Sequence, residues 1–315
     1  MYRYIMNRVL FTIPVIFAVS VLCFSLVQLA PGDPLSLVLP ADATQEQIDE
    51  TKARYGLDKP VVVQYGYWLV NALQGDLGES ISSGRPVITE IGTAIGYSLS
   101  LAALASLMAL IIGLALGLLA GYTVGSPADK VASAMAISGV SVPHYWLGIV
   151  LVVIFSVNLN WLPAMGAGSG SGGTDTLFER LRFMILPAVT LAAMPAGIVT
   201  RSVRALVADI LSRDFITALY AKGLRPHQVF PHVIKNVAPA ALAVIGVQMG
   251  YLMAGSILVE TVFSWPGTGL LLNSAILQRD IPLLQGTVLT LALFFVVLNL
   301  LVDIVQPLLD PRISR

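Results

Sequence analysis

The side chains best suited to chemistry in this chain are its three histidines, its single cysteine and a few acids. His227 and His232 are five positions apart without a nearby acid or cysteine, which is poor spacing for a metal site. Cys23 lies in an apolar run and, being alone, excludes an intrachain disulfide or thiolate cluster. No Ser-His-Asp or paired-carboxylate arrangement stands out. We therefore expect no catalytic residue, no metal site and no cofactor held by this chain.

Nucleotide chemistry is not indicated either. The sequence contains no G-x-x-x-x-G-K-[ST] loop, the backbone cradle for nucleotide phosphates. Gly168, Gly170 and Gly173 do satisfy G-x-G-x-x-G, but they lie in the run GAGSGSGG rather than between a strand and a helix. That composition is typical of a flexible loop. A membrane enzyme is accordingly disfavoured.

The densest group of charges is a basic stretch, residues 201–236, set between two apolar runs. Its cations are Arg201, Arg204, Arg213, Lys222, Arg225 and Lys235. Membrane-protein loops that hold Lys and Arg this densely face the cytoplasm. Within it, Val229, Phe230, Val233 and Ile234 are spaced to form an apolar face, which suits either a groove on a soluble partner or the lipid interface.

The composition explains why these charges are so concentrated. Hydrophobic residues make up 56%, charged residues 11%, and the mean hydropathy is +0.82. Soluble domains carry roughly 25% charged residues, so the chain is predicted to be an integral membrane protein. Its formal net charge is zero, which argues against nucleic acid as a partner.

Six apolar stretches are long enough to span a membrane, for which roughly 20 residues are needed. They are Val9–Ala30, Tyr97–Tyr122, Val131–Trp161, Phe183–Val203, Ala238–Phe263 and Leu284–Val305. We expect the third to break at Val142-Pro143, because proline removes a donor and disfavours helix before it. An even number of spans puts both termini on one side, and the cations of the short loops assign that side to the cytoplasm.

These spans predict four parts of the chain: 1–30, a tail and the first helix; 31–96, a small external region; 97–306, the core; and 307–315, a cytoplasmic tail. In the external region, Thr44 and Gln47 resemble a capping box that opens a short helix. Tyr65, Tyr67 and Trp68 follow it, and their aromatic side chains suit packing at the membrane interface or contact with a partner.

Small residues outnumber charged ones within the spans. Gly113, Gly117 and Gly121 recur every four positions, which indicates one closely packed helix face. Glu260 and Asp303 lie near span ends, and mid-span ionisable groups are almost absent. A secondary transporter usually keeps an acid, a base or an ion site inside the membrane. A self-contained transporter or channel is therefore disfavoured.

Residues 214–223, DFITALYAKG, followed by VIKN at 233–236, resemble the EAA loop of permease subunits of ABC importers, especially the peptide/nickel branch. Further matches follow in order along the chain: APGDP at 30–34, GDLG at 75–78, RPV at 85–87, WLP at 161–163, VE at 259–260, FSWPG at 263–267, RDIP at 279–282, QG at 285–286 and DPR at 310–312. The combination covers nearly the whole sequence. At the central E-A-A positions stand Thr217, Ala218 and Leu219, so the glutamate is missing.

The resemblance implies an all-α protein with the type I ABC importer permease fold, six transmembrane helices and a small periplasmic region between the first two. It implies a bacterial or archaeal plasma (inner) membrane location in contact with lipid. The partners implied are a second homologous permease, two ATP-binding cassette subunits that bind ATP and Mg, and a periplasmic or extracellular solute-binding protein. The cargo implied is di- or oligopeptides, with glutathione, nickel chelate or another small solute as alternatives.

The resemblance also assigns the loop 204–236 to docking of the ATPases. The residues implied are Asp214, Thr217, Ala218, Ala221, Lys222, Gly223, Arg225, Val229 and Phe230. Gly223 suits the left-handed residue that ends a helix, and Pro226 suits the first turn of a second short helix. Pro231 is expected to shorten that second helix.

Overall fold

The computed structural model of this chain describes residues 2–28, 44, 46, 58–168 and 177–309. The described helices are α1 (Tyr2–Gln28), α2 (Val61–Leu73), α3 (Val87–Tyr122), α4 (Pro127–Ser141), α5 (His144–Leu151), α6 (Leu177–Leu211), α7 (Asp214–Ala221), α8 (Pro226–Val262), α9 (Thr268–Leu277) and α10 (Ile281–Leu309). The helix predicted to open at Thr44 and the glycines at 170 and 173 fall largely outside the described residues.

The membrane-spanning architecture is built from long apolar helices. Four stretches are long and apolar enough to cross a membrane: Val87–Tyr122, Phe178–Leu211, Pro226–Gln248 and Ile281–Leu301. Two further helical stretches, Pro127–Ser141 and His144–Asn158, form a bent pair, which makes a fifth span if the pair is counted as one. A shorter apolar helix covers Leu10–Ser25. Each of the six predicted spans overlaps one of these stretches, so the predicted all-α membrane fold class is confirmed.

The third span is broken where the sequence predicts. Helix α4 ends at Ser141, Val142 is extended at φ −82° and ψ 124°, and α5 begins after Pro143. The two helical parts meet at 106°. Beyond Leu151 the span continues as a π-helix, Val152–Asn158. The break has a local cause, because proline lacks the N–H and its ring excludes helical backbone at the preceding residue.

The chain divides into two compact units. The first contains the described parts of Met1–Met6, Ser98–Trp265 and Leu298–Arg315; the second contains the described part of Asn7–Tyr97 and Pro266–Val297. In the first unit, α3 lies closely against α6 along the predicted glycine face. A β-carbon added at Gly113, Gly117 or Gly121 would lie 2.7, 2.7 or 2.6 Å from the β-carbon of a valine on α6. The predicted close approach is confirmed.

The second unit is held together by a buried acid and an aromatic cluster. Asp280 is fully buried and accepts hydrogen bonds from the hydroxyls of Ser80 and Ser82 at 2.6 and 2.8 Å. Tyr65 and Trp68 of α2 pack against Phe24 of α1, with ring centroids 5.5 and 5.8 Å away. Of the three predicted aromatic residues, Tyr65 and Trp68 therefore join α2 to the first apolar helix, whereas Tyr67 is 57% exposed.

Candidate functional site

The basic stretch forms a shorter loop than predicted. Helix α6 continues to Leu211 and α8 starts at Pro226, so the connection is residues 212–225, with α7 inside it. The expected short second helix is wrong, because α8 is one continuous helix of 37 residues. Pro231 lies within it rather than ending it. Its ring removes one backbone hydrogen bond near the helix start, a loss that the packing of the long helix outweighs.

Helix α7 presents different chemistry on its two sides. Asp214, Thr217, Ala218 and Ala221 are exposed and follow the i, i+3, i+4, i+7 spacing that places residues on one helix face. On the other side, Ile216 is only 2% exposed and belongs to an apolar cluster with residues of α6 and α8. The helix is therefore anchored through Ile216 and presents Asp214, Thr217 and two alanines outward.

Gly223 ends α7 in the way the sequence predicts. Its φ is +84°, a left-handed conformation that glycine adopts without steric cost. Its N–H donates to the carbonyl of Tyr220 at 2.9 Å, and the N–H of Leu224 donates to the carbonyl of Leu219 at 3.3 Å. This pair of bonds is a Schellman motif, which satisfies two carbonyls at the helix end. The turn fixes the angle at which α8 begins.

The start of α8 closes the loop and corrects one expectation. Val229 is 1% exposed and Val233 is fully buried, and both lie in the same apolar cluster as Ile216. Val229 therefore packs within the chain and does not face a partner. Phe230 is 43% exposed, and its ring centroid lies 5.9 Å from that of Tyr122 at the end of α3. The predicted apolar face is thus reduced to one exposed aromatic residue.

We call the exposed predicted residues of this region the loop face. They are Asp214, Thr217, Ala218, Ala221, Lys222, Gly223, Arg225 and Phe230. The backbone beneath them is fixed by the Schellman turn and by the hydrogen bond from the Arg225 N–H to the Gln228 side chain, 2.8 Å long. Arg225 and Phe230 on this face are of residue types that are enriched at protein interfaces. The structure leaves eight of the nine predicted residues exposed and buries Val229.

Sequence reasoning missed an acid beside this region. Asp129 lies in the first turn of α4 and is 3% exposed. One signal was present: Ser126 precedes it by three positions, the spacing of a capping box. The Ser126 hydroxyl indeed accepts a hydrogen bond from the Asp129 N–H at 3.2 Å. A second buried acid, Glu260 of α8, was noted only as near a span end; it accepts a hydrogen bond from the Ser98 hydroxyl at 2.7 Å.

Comparison with known proteins agrees with this architecture. Residues 113–315 match the family model for the binding-protein-dependent transport system inner membrane component, and residues 1–102 match the model of its N-terminal region. The chain is 34% identical over 332 residues to the dipeptide transport system permease protein DppB of Alkalihalophilus pseudofirmus, covering 100% of both chains. It is 37% identical over 314 residues to the glutathione transport system permease protein GsiC of Escherichia coli K12, covering 99% of both.

A solved structure shares the fold. A chain of the MetNI methionine ABC transporter in an inward-facing conformation aligns with a TM-score of 0.58 at 15% identity, covering 70% of this chain and 96% of that one. Identity this low carries the fold alone. The two family models account for nearly the whole sequence. The chain therefore belongs to the family of inner-membrane components of binding-protein-dependent transport systems, and it is an ABC importer permease of the type I fold.

Proposed function

We propose that this chain forms half of a translocation pathway for small peptides and that separate subunits hydrolyse the ATP that drives it. The observation that carries the proposal is the loop face, an exposed surface held rigidly at the ends of α6 and α8. A surface of this kind can receive a force from a soluble subunit and pass it to two long helices. The relative named for dipeptide transport, similar along the whole chain, supports peptides as the cargo.

The loop face lies on the cytoplasmic side in this proposal, together with both termini. The support is the positive-inside distribution of short-loop cations. The chain itself is non-catalytic and binds no cofactor. Two ATP-binding cassette subunits dock at the loop faces of this chain and of a second, homologous permease, and they bind ATP and Mg. A solute-binding protein delivers cargo on the outer side.

Glutathione is the second candidate cargo. It is itself a small peptide, and the relatives named for glutathione transport are 37% identical to this chain over 99% of its length. The two cargoes can be separated by competition. In the complete transporter with its binding protein, uptake of a labelled dipeptide should resist a tenfold excess of glutathione, a ratio on the scale that one missing specific contact produces. Efficient competition by glutathione would favour the alternative.

Docking can be tested by site-specific photocrosslinking. A photoreactive amino acid at Thr217, which is exposed on the loop face, should form an adduct with an ATP-binding cassette subunit in membranes containing the whole transporter. Gln278 provides the control because it is also exposed, at the end of α9, and lies on the outer side in the proposed topology. Adducts of position 217 with lipid alone would show that the loop face lies on the membrane surface and would contradict the proposal.

A further inference from the structure

A partly buried ion pair joins two helices close to the loop face. The Arg204 guanidinium of α6 donates to both carboxylate oxygens of Asp129 on α4, from Nε at 2.5 Å and from Nη2 at 2.7 Å. The Asp129 carboxylate also accepts the Gly125 N–H at 2.8 Å and the Ser133 hydroxyl at 3.2 Å. The carboxylate therefore has four donors, contributed by α6, by α4 itself and by the turn between α3 and α4.

The geometry of this pair suits a rigid connection better than a surface ion pair. The Asp129 side chain is 5% exposed and that of Arg204 is 33% exposed. A fork of two parallel N–H···O bonds fixes orientation as well as distance, and charge-assisted bonds of this kind are the strong ones. A buried acid left without its partner is costly. Helices α4 and α6 are thus held together at this point.

The turn between α3 and α4 is fixed at a second point. A β-carbon at Gly121 would lie 2.6 Å from the β-carbon of Val207, so α3 touches α6 one turn beyond Arg204. The next residue, Tyr122, contacts Phe230 of the loop face with ring centroids 5.9 Å apart. From Arg204, α6 continues to Leu211, and α7 starts at Asp214. The start of α4 and the loop face therefore both contact the end of α3 and the last turns of α6.

The other end of α4 is the break in the third span. Helix α4 runs as one rod from Pro127 to Ser141, where the chain turns by 106° into α5. The ion pair joins the end of α6 that lies nearest the loop face to the start of α4. Because α4 is one continuous helix, it connects the ion pair at its start to the break at its end.

We propose that Asp129 and Arg204 are positioning residues that connect the loop face to the broken third span, so that movement of the docked ATPases changes the shape of the pathway. The inference rests on the proposed function, since it requires ATPases at the loop face. It adds a connection that lies outside the loop: the ion pair is dispensable for docking and required for converting ATP hydrolysis into uptake.

The test uses the complete transporter in proteoliposomes and compares Asp129→Asn with Lys130→Gln. Lys130 is exposed on the same turn of α4, so its change removes a charge without touching the pair. For Asp129→Asn we expect the ATPase subunits to co-purify and hydrolyse ATP, while uptake per ATP falls about tenfold, the scale of one lost charge-assisted contact. For Lys130→Gln we expect wild-type uptake per ATP.

A second variant separates positioning from simple stability. Asp129→Asn with Arg204→Gln removes both charges, which relieves the unpaired cation and brings the melting temperature back towards that of the wild type. Positioning predicts that uptake per ATP stays low in this double variant. Recovery of uptake per ATP together with stability, or normal coupling in Asp129→Asn, would overturn the inference. Should the single variant fail to assemble, the double variant decides alone. Failure of the wild-type chain to retain ATPases would instead refute the proposed function.

Discussion

Two glycines in turns of the same type allow a role of the loop face in docking to be distinguished from the general effect of backbone strain on stability. Gly223 and Gly75 both have a φ of +84°, and a β-carbon at either would meet nothing within 4 Å. Gly75 ends α2 with the same pair of bonds, from its N–H to Ala72 at 3.0 Å and from the Asp76 N–H to Asn71 at 2.9 Å. The same substitution therefore causes the same backbone strain at both sites, with no side-chain clash at either.

The magnitude follows from the backbone alone. A β-branched residue in the left-handed region costs about 2 kcal/mol relative to glycine. Because the Gly223 turn is exposed, Gly223→Val relieves the strain by unwinding the end of α7, and docking must then rebuild the turn. We expect docking of the ATPases to weaken by about thirtyfold, since each 1.4 kcal/mol is about a factor of ten. Gly75→Val should unwind the end of α2 to the same extent and leave docking unchanged.

The assay is titration of labelled ATPase subunits onto nanodiscs that carry each permease variant with its partner permease. Membrane insertion of both variants should equal that of the wild type, because neither substitution lies in an apolar span. Wild-type affinity in Gly223→Val would refute the docking role of the loop face. Equal weakening in Gly75→Val and Gly223→Val would show that strain acts through global stability and would refute the argument from geometry.

Three further predictions concern packing, pH and topology. Gly117→Ala should destabilise the chain by about 1–3 kcal/mol in thermal unfolding, because its β-carbon would lie 2.7 Å from a valine β-carbon. Gly96→Ala on the same helix meets nothing within 4 Å and should stabilise by about 0.5–1 kcal/mol. Burial opposes ionisation of Asp280, but hydrogen bonds from the Ser80 and Ser82 hydroxyls and from two backbone N–H groups hold its pKa below its ordinary value. Because the pKa of Asp280 is lower in the folded state, the carboxylate contributes its full stabilisation above the unfolded pKa, near 3.9, and this stabilisation is lost as the pH falls through the folded pKa. Asp280→Asn should therefore make the melting temperature less dependent on pH between about pH 5 and 2. In a cysteine-free background, a membrane-impermeant maleimide should label a cysteine at Gln278 in intact cells and one at Ser212 only after permeabilisation; the reverse pattern would contradict the topology.

The features that the sequence predicted correctly have local causes. The break at Pro143 follows from the covalent structure of proline, and the turn at Gly223 follows from the conformational freedom of glycine. The glycine face of α3 was predictable because a four-residue period keeps small side chains on one side of a helix. Each of these needs only a few neighbouring residues.

The features that were missed depend on distant contacts. Pro231 was expected to shorten the second helix, but the packing of Val229 and Val233 in the cluster around α6 and α7 keeps α8 continuous. The same packing turns Val229 away from the surface. The partner of Asp129 is 75 positions away, a separation at which neither periodicity nor local motif carries a signal. The continuity of α8, the burial of Val229 and the pairing of Asp129 all depend on tertiary contacts.

The most direct test of the central claim is uptake in proteoliposomes of defined content. Vesicles would contain this chain and its partner permease, with or without the ATP-binding cassette subunits, and receive a dipeptide loaded on the binding protein. We expect uptake only when the ATPases and ATP are both present on the side of the loop face, and none from an ion gradient. Dipeptide uptake by the permeases alone, driven by an ion gradient without ATP, would contradict it.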